Sequence, residues 1–183
     1  MMEFPDIAAF LRHMERSLVR ADAAGSDGLR RAALMVEREA KAEIGHYQEA
    51  DGPFPAWEPL SQATLEGFHH PAAGWIPGKV ELGYAPPDNP LLRDGWLRES
   101  IGSTVEGHEA AAGSDDEVAV WQELGTPNAM YPIPPRSFLG RAGVKKQDAA
   151  VDTMAGGVVA ALASVSRAMV ASAHLTQDGE AGE

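Results

Sequence analysis

The sequence predicts an α+β fold: an antiparallel β-sheet packed against N-terminal helices and a long C-terminal helix, with an extended Pro/Gly-rich arm. Three observations predict this class. Apolar residues recur at spacings of three and four near both ends of the chain, as in amphipathic helices. Residues 103–124 hold two strand-like runs around a turn. The length of 183 residues suits a single domain, 1–183.

Residues 1–50 are predicted to form a helical hairpin. Two apolar stripes at helical spacing carry this prediction: Ile7, Leu11, Met14, Leu18 and Ala21, then Leu29, Ala33, Val36, Ala40 and Ile44. The segment 24–28, Ala-Gly-Ser-Asp-Gly, separates the stripes and predicts a break. Gly45 stands where a glycine is expected to end the second helix.

Residues 51–90 are predicted to be a long, mostly irregular arm. They hold 8 of the 13 prolines, and proline interrupts helices and removes a strand hydrogen-bond donor. We expect a short helix over 61–68 and a short strand over 79–84. The arm also carries large apolar side chains, including Trp57, Phe68 and Trp75, and loops this long usually serve a function or an interface.

Residues 91–143 are predicted to build the sheet. A short helix or turn over 91–101 precedes two expected strands, Thr104–Ala110 and Glu117–Leu124. The tetrapeptide Gly113–Asp116 between them is rich in turn-forming residues, so a hairpin is the simplest arrangement. Apolar residues fall on both faces of the second run. This predicts a strand at the centre of its sheet or against another subunit.

Residues 144–176 are predicted to form one long helix. Its apolar positions follow a helical period: Val144, Val151, Met154, Val158, Leu162, Val165 and Met169. The pair Gly156-Gly157 predicts a kink or a close helix crossing, because glycine is a poor helix former but allows close approach. The polar residues 177–183 are expected to form a flexible tail.

Charge and composition exclude several classes of protein. The chain has 15 Lys and Arg against 27 Asp and Glu, a net charge of −12 carried mostly by residues 51–143, which opposes non-specific binding of DNA phosphates. It has no cysteine, which excludes disulfides and thiolate sites. We see neither a targeting segment nor an apolar run of about 20 residues. We therefore expect a soluble intracellular protein without membrane contact.

Patterns of catalytic or metal-binding residues are nearly absent, so we predict no enzyme activity, no cofactor and no metal site. The groups that come closest are His108-Glu109, His46 with His69-His70, and Asp115-Asp116-Glu117. The first lacks a second histidine one helical turn on, as a zinc-protease motif requires. The others are better explained as solvated surface residues.

Four segments combine tryptophan, glycine, proline and arginine at distinctive spacings. They are Trp57-Glu58-Pro59-Leu60 with Thr64, then Asp94–Ile101, Gln122–Thr126 and Ile133–Gly140. In this order they resemble the Mu-type virion morphogenesis proteins of tailed bacteriophages and the related tail-completion or neck proteins. That family shows W-x-P-L-x-x-x-T, tGxLrdSI, E/Q-F-G-T and IPaRPFLg. The match covers roughly residues 30–145, with Leu124, Pro135 and Ser137 as departures.

The resemblance implies a non-enzymatic structural protein of the virion. It would sit at the head-tail junction and be assembled in the host cytoplasm. The motif residues that it marks as interface or family positions are Trp57, Leu60, Thr64, Gly95, Leu97, Arg98, Ser100, Ile101, Glu123, Gly125, Thr126, Ile133, Pro134, Arg136, Phe138 and Leu139. The backbone held by Pro134-Pro135 would present Arg136, Phe138 and Leu139 at a fixed position. Two destinations stay open for them, a neighbouring subunit or the protein's own C-terminal helix.

The implied partners are further copies of the chain, in a ring for which a hexamer is expected. Neighbouring neck and tail proteins, such as a stopper, an adaptor, a tail terminator or the tail tube, would contact that ring. Genome DNA would pass through the lumen without specific binding, because a wall of carboxylates repels phosphate. The alternatives are a tail terminator, stopper or minor tail protein and, from another class, a small prophage-encoded hydrolase or metal-binding enzyme.

Overall fold

A computed structural model describes residues 4–84, 86–130 and 132–177, with side chains as far as residue 163. The predicted α+β class is confirmed. In order, the elements of the described residues are α1 (Ile7–Glu43), α2 (Gln62–Glu66), β1 (Gly67–His70), β2 (Gly74–Pro77), α3 (Trp96–Ser100), β3 (Ile101–Glu106), β4 (Glu109–Ser114), α4 (Glu117–Leu124) and α5 (Leu139–Gln177). The strands form two separate two-stranded sheets, β1-β2 and β3-β4.

The predicted N-terminal hairpin is wrong, because α1 is one continuous helix of 37 residues. The glycines that predicted a break lie on the side of α1 that crosses α5. A Cβ atom on Gly28 would lie 3.0 Å from the Cα atom of Met154, and one on Gly25 would lie 3.7 Å from Val158 Cγ2. Each glycine disfavours a helix by about 1 kcal/mol relative to alanine. The close packing that glycine permits offsets this cost.

In the middle of the chain, the structure differs from both predicted strands. Glu117–Leu124 is helix α4, capped by the Asp116 carboxylate, which accepts a hydrogen bond from Val118 N at 2.9 Å. The hairpin therefore lies earlier than predicted. Its strands are β3 and β4, so that Thr104–Ala110 spans the end of one strand and the start of the next. Gly107, with a φ of 58°, lies between them and takes the left-handed conformation that a tight turn needs.

The arm is more regular than predicted. The expected short helix is present as α2, and an unpredicted antiparallel hairpin follows it, in which Phe68 pairs with Ile76. The predicted strand over 79–84 is wrong. Turn hydrogen bonds shape this segment instead, among them Leu82 N to Gly78 O at 3.0 Å and Tyr84 N to Lys79 O at 3.0 Å. Much of the arm is thus folded rather than extended.

The predicted C-terminal helix is present as α5, but it begins at Leu139, five residues earlier than expected. Of the two outcomes predicted for Gly156-Gly157, the close helix crossing is observed. A Cβ atom on Gly157 would lie 3.1 Å from the carbonyl oxygen of Ala24 in α1. The expected tail lies outside the described residues, except for Gln177 at the end of α5.

The chain divides into two compact units. Unit 1 contains residues 4–33, 104–110 and 148–177, and unit 2 contains residues 34–103 and 111–147. Unit 2 holds a core cluster in which Ile44, Trp57, Leu97, Ile101 and Phe138 are the large buried side chains. Unit 1 is built on the crossing of α1 with α5. The single-domain organisation of the whole chain stays a prediction.

Candidate functional site

Glu123 joins two of the four motifs in unit 2. Its carboxylate accepts hydrogen bonds from the backbone N–H groups of Phe138, Leu139 and Gly140 at 2.8, 2.9 and 2.8 Å, and from the Ser137 hydroxyl. These are the free donors at the start of α5, where the helix dipole also favours a negative charge. Glu123 is therefore a helix cap for α5 that is supplied from a different helix, α4.

Gly125 and Thr126 form the turn that follows Glu123. Gly125 has a φ of 73°, and a Cβ atom there would lie 2.8 Å from the carbonyl oxygen of Ile133. Thr126 N donates to that same oxygen at 2.9 Å, and Thr126 Oγ1 accepts from Ile133 N at 2.9 Å. Only glycine suits both the left-handed backbone and the close approach. The turn therefore fixes where the Ile133–Gly140 segment begins.

Arg136 and Phe138 face inwards. Phe138 is fully buried and Arg136 is 5% exposed. The Arg136 guanidinium donates to the carbonyl oxygens of Glu58 at 2.9 Å and Pro59 at 3.4 Å, and its burial lowers its pKa. Of the two destinations left open for these side chains, packing within the protomer is the one observed. Pro134 and Leu139 are half-buried beside them.

The Trp57 segment joins the arm to this block. Trp57 is buried, and its indole Nε1–H donates to the Ser137 carbonyl oxygen at 3.3 Å. Leu60 is half-buried, and its N–H donates to the Tyr47 hydroxyl at 3.0 Å. Thr64 is exposed in α2, where its hydroxyl lies 2.9 Å from that of Ser61. The W-x-P-L motif therefore fastens the arm to the rest of unit 2.

The Gly95–Ile101 motif forms α3 and the start of β3. Gly95 adopts a left-handed backbone with a φ of 95° just before α3. Leu97 and Ile101 are buried in the core, whereas Arg98 is exposed. Ser100 Oγ donates to the Leu97 carbonyl oxygen at 2.8 Å and lies 2.6 Å from Ser114 Oγ. The four motifs thus meet in one block, and of the sixteen motif residues named in the sequence analysis only Thr64 and Arg98 are exposed.

The sequence did not predict the burial of two charged groups in unit 2. They are Lys79 and the pair formed by Glu43 and Arg141. Glu43 is 2% exposed, its carboxylate oxygens have no hydrogen-bond partner among the described residues, and Arg141 Nε lies 4.0 Å away. Burial raises the pKa of Glu43 to about 7. The sequence contains one indication that Glu43 is buried, because Glu43 follows Ala40 by three positions on the apolar stripe of α1. No pattern in the sequence points to the burial of Lys79.

Unit 1 exposes aliphatic side chains on both of its long helices. Val19 and Val159 are exposed but lie off the apolar stripes; the stripes consist of Ile7, Leu11, Met14 and Leu18 on α1, with Ile7 78% exposed, and of Val151 and Leu162 on α5. We call these six residues the aliphatic face. The helices cross antiparallel, because Met154 lies against Gly28 while the later Gly157 lies against the earlier Ala24.

The two exposed stripes lie on the same side of the helix pair. At 3.6 residues per turn, each stripe is rotated by about 60–80° from the residues at the crossing, in the same sense on both helices. For antiparallel helices, the same sense of rotation places both stripes on one side of the pair.

The groups considered for metal binding do not assemble in the described part of the chain. Across those residues, no cluster of three or more histidine and acidic side chains could hold a metal ion. His70 Nδ1 instead accepts hydrogen bonds from the N–H groups of Ala72 and Ala73, and Asp116 caps α4. In the same residues, no helix is long and apolar enough to cross a membrane.

Comparison with known proteins found no family model, no curated protein and no solved structure that matches this chain. The resemblance to the phage family therefore rests on the four motifs alone.

Proposed function

We propose that this protein is a ring-forming structural subunit of a tailed bacteriophage, acting in tail completion or in joining the tail to the head. The aliphatic face of unit 1 is the observation that carries the assembly role. Large exposed apolar patches on soluble proteins mark sites of interaction with other molecules. The four motifs, which resemble those of virion morphogenesis proteins, supply the virion context.

The aliphatic face is large enough to contribute to contacts between subunits. Full burial of one such side chain contributes about 1.5–3 kcal/mol, and the six are roughly half exposed, so one contact contributes up to about 10 kcal/mol. Association costs an estimated 4–15 kcal/mol. A single contact is therefore marginal. In the proposed ring, each subunit makes two such contacts, and a second surface of each subunit receives the aliphatic face of its neighbour.

The acidic charge is consistent with a channel for DNA. If residues 51–143, which carry most of the net negative charge, line the lumen, their carboxylates repel phosphate and let the genome slide. A structure of the assembled ring tests this idea. Carboxylates on the outer surface around a basic lumen would refute it.

Electron microscopy of a phage lysate that lacks this protein tests the proposed function. Filled heads beside finished but unattached tails would support a role in joining. Overlong tails would instead assign the protein to tail termination. Normal virions in such a lysate would overturn the virion role altogether, and complementation with the intact chain serves as the control.

A further inference from the structure

Unit 2 contains an open groove of about 780 Å³ that is lined mainly by apolar residues. They come from separate parts of the chain, among them Ile76, Leu92, Trp96, Val118 and Ile133. Trp96 is 71% exposed, so a large aromatic surface lies open at this site. The volume lies within the range of about 300–1,000 Å³ that is usual for binding sites.

The charged side chains that line the groove do not favour a charged occupant. Three are acidic and three are basic: Glu58, Asp94, Asp116, Lys79, Arg93 and Arg136. The two buried cations, Lys79 and Arg136, already donate to backbone carbonyl oxygens. The two aspartates accept hydrogen bonds from backbone N–H groups at the starts of α3 and α4. The groove therefore suits an apolar segment without charged side chains of its own.

The start of α1 is such a segment. Residues 7–11, Ile-Ala-Ala-Phe-Leu, carry no charge, and the side chains of Ile7 and Leu11 are exposed. With Met14 and Leu18 they follow one another at spacings of four, three and four residues, which is the pattern of helices that bind in apolar grooves. At 1.5 Å per residue, this stripe is about 17 Å long.

The distribution of charge favours contact between unit 2 and α1 over contact between two copies of unit 2. Unit 2 holds 15 acidic and 9 basic side chains, so two copies of it repel each other. Residues 4–33, which contribute α1 to unit 1, hold 5 arginines and 4 acidic side chains. Like charges that face each other across an interface oppose binding. A contact between α1 and unit 2 avoids this repulsion.

We propose that the groove of unit 2 receives residues 7–18 of α1 from a second copy of this chain. The side chains that enter the groove are those of the α1 stripe, Ile7, Leu11, Met14 and Leu18. The inference rests on the proposed function, because it names the second surface that each subunit of a ring needs. One surface belongs to unit 1 and the other to unit 2, so the contact is heterologous and can repeat from copy to copy until a ring closes. Trp96 contributes most to binding, because tryptophan is enriched among the residues that dominate interfaces.

Mixing two variants of the full chain tests the inference, because a heterologous contact needs one intact surface from each partner. The helix variant carries Leu11→Asn and Leu18→Asn, and the groove variant carries Trp96→Gln and Val118→Gln. All four side chains are exposed, so both variants should fold, which circular dichroism checks. Sedimentation velocity at about 500 mM NaCl, where repulsion is screened, measures assembly. We expect the two variants to bind each other at least about tenfold more tightly than either binds itself, in dimers that do not grow further.

Trp75→Gln is the matched control, because Trp75 is an exposed tryptophan of unit 2 that does not line the groove, and this variant should assemble like the wild type. Wild-type assembly by the groove variant would overturn the inference and leave the proposed ring in need of another acceptor surface. A mixture in which the two variants do not bind each other would also overturn it. A wild-type chain that stays monomeric would overturn the proposed self-assembly together with the inference.

Discussion

Glu43 shows how one buried carboxyl group gives this protein a distinctive response to pH. Its pKa is raised to about 7, from an ordinary value of 4.5, mainly by burial. The positive charges of Arg141 and Lys145 lower the pKa, and the negative charges of Glu39 and Glu123 raise it. Below pH 4.5, the group is protonated in both the folded and the unfolded chain. Between about pH 4.5 and 7, only the unfolded chain has released the proton.

We therefore predict that the contribution of Glu43 to the free energy of unfolding falls as pH rises through this window and is lost above pH 7. The total change is at most about 3 kcal/mol. Urea unfolding of the wild type and Glu43→Gln at a series of pH values measures it as the difference between the two. Glu39→Gln is the control, because Lys145 and Lys146 lower the pKa of Glu39 and its difference should have the opposite sign. Parallel curves for Glu43→Gln and the wild type would contradict the prediction.

The cap formed by Glu123 gives a second prediction for single residues. Glu123→Ala leaves three backbone donors of α5 without their acceptor, and we expect it to destabilise the protein by about 2–4 kcal/mol. Chemical unfolding measures the loss. Glu117→Ala removes an exposed acid from the same helix, α4, and should cost less than about 1 kcal/mol. Similar losses for both variants would show that charge alone, and not capping, matters.

For single residues, the sequence motifs indicated which positions are structurally important, but they did not indicate which contacts those residues make. The motifs identified Arg136, Phe138 and Glu123, but an arginine beside apolar residues suits an interface as well as a core. Only the hydrogen bonds to Glu58 and Pro59 distinguish the two. The burial of Lys79 could not be predicted, because its partners are backbone carbonyl groups. Every residue type carries a backbone carbonyl, so such contacts do not show in the sequence.

Among the secondary-structure elements, the glycines of the two long helices give a graded prediction. Gly28→Ala places a methyl group 3.0 Å from the backbone of Met154, so we expect a loss of about 1–3 kcal/mol. Nothing lies within 4 Å of the corresponding position at Gly156, so Gly156→Ala should stabilise the protein by about 0.5–1 kcal/mol. Thermal unfolding with circular dichroism measures both effects.

Gly25→Ala provides the intermediate case, because its added methyl group would make an ordinary contact with Val158 at 3.7 Å. We expect an effect between those of the other two variants. If Gly28→Ala stabilised the protein as much as Gly156→Ala does, the close crossing of α1 and α5 would be refuted.

The prediction of elements failed where local signals were ambiguous. Val118, Val120 and Leu124 alternate with other apolar residues, and this pattern fits a buried strand and a short helix equally well. The N-terminal cap formed by Asp116 stabilises the helix at this position. In α1, the glycines signalled a turn by propensity, whereas tertiary packing against α5 favoured a continuous helix. The long α5 was predictable because its period repeats over many turns.

For the whole molecule, the aliphatic face and the net charge together predict self-association that depends on salt. Each copy carries a charge of −12, so repulsion opposes association at low ionic strength and weakens as salt screens it. We expect the average mass measured by light scattering to rise between about 20 and 500 mM NaCl. An average mass that falls as salt is added would contradict the prediction.

The double variant Leu11→Asn and Leu18→Asn should remove this association without unfolding the protein, because both side chains are largely exposed. Val19→Asn is the matched control. Val19 is as exposed as Leu18, but it lies on another side of α1. Equal association by the control and the double variant would show that the aliphatic face is not the contact surface.

The cap between Glu123 and α5 also bears on the order in which unit 2 forms. The contact from Glu123 to Phe138 closes a loop of 15 residues, and Pro127, Pro132, Pro134 and Pro135 stiffen that loop. A short, stiff loop loses little chain entropy on closing, so α4 and the first turn of α5 can meet early. Trp57 contacts Ser137, which is 80 residues away along the chain, so this contact forms after α4 and the first turn of α5 have met. Folding of unit 2 would thus proceed from its C-terminal half towards the arm.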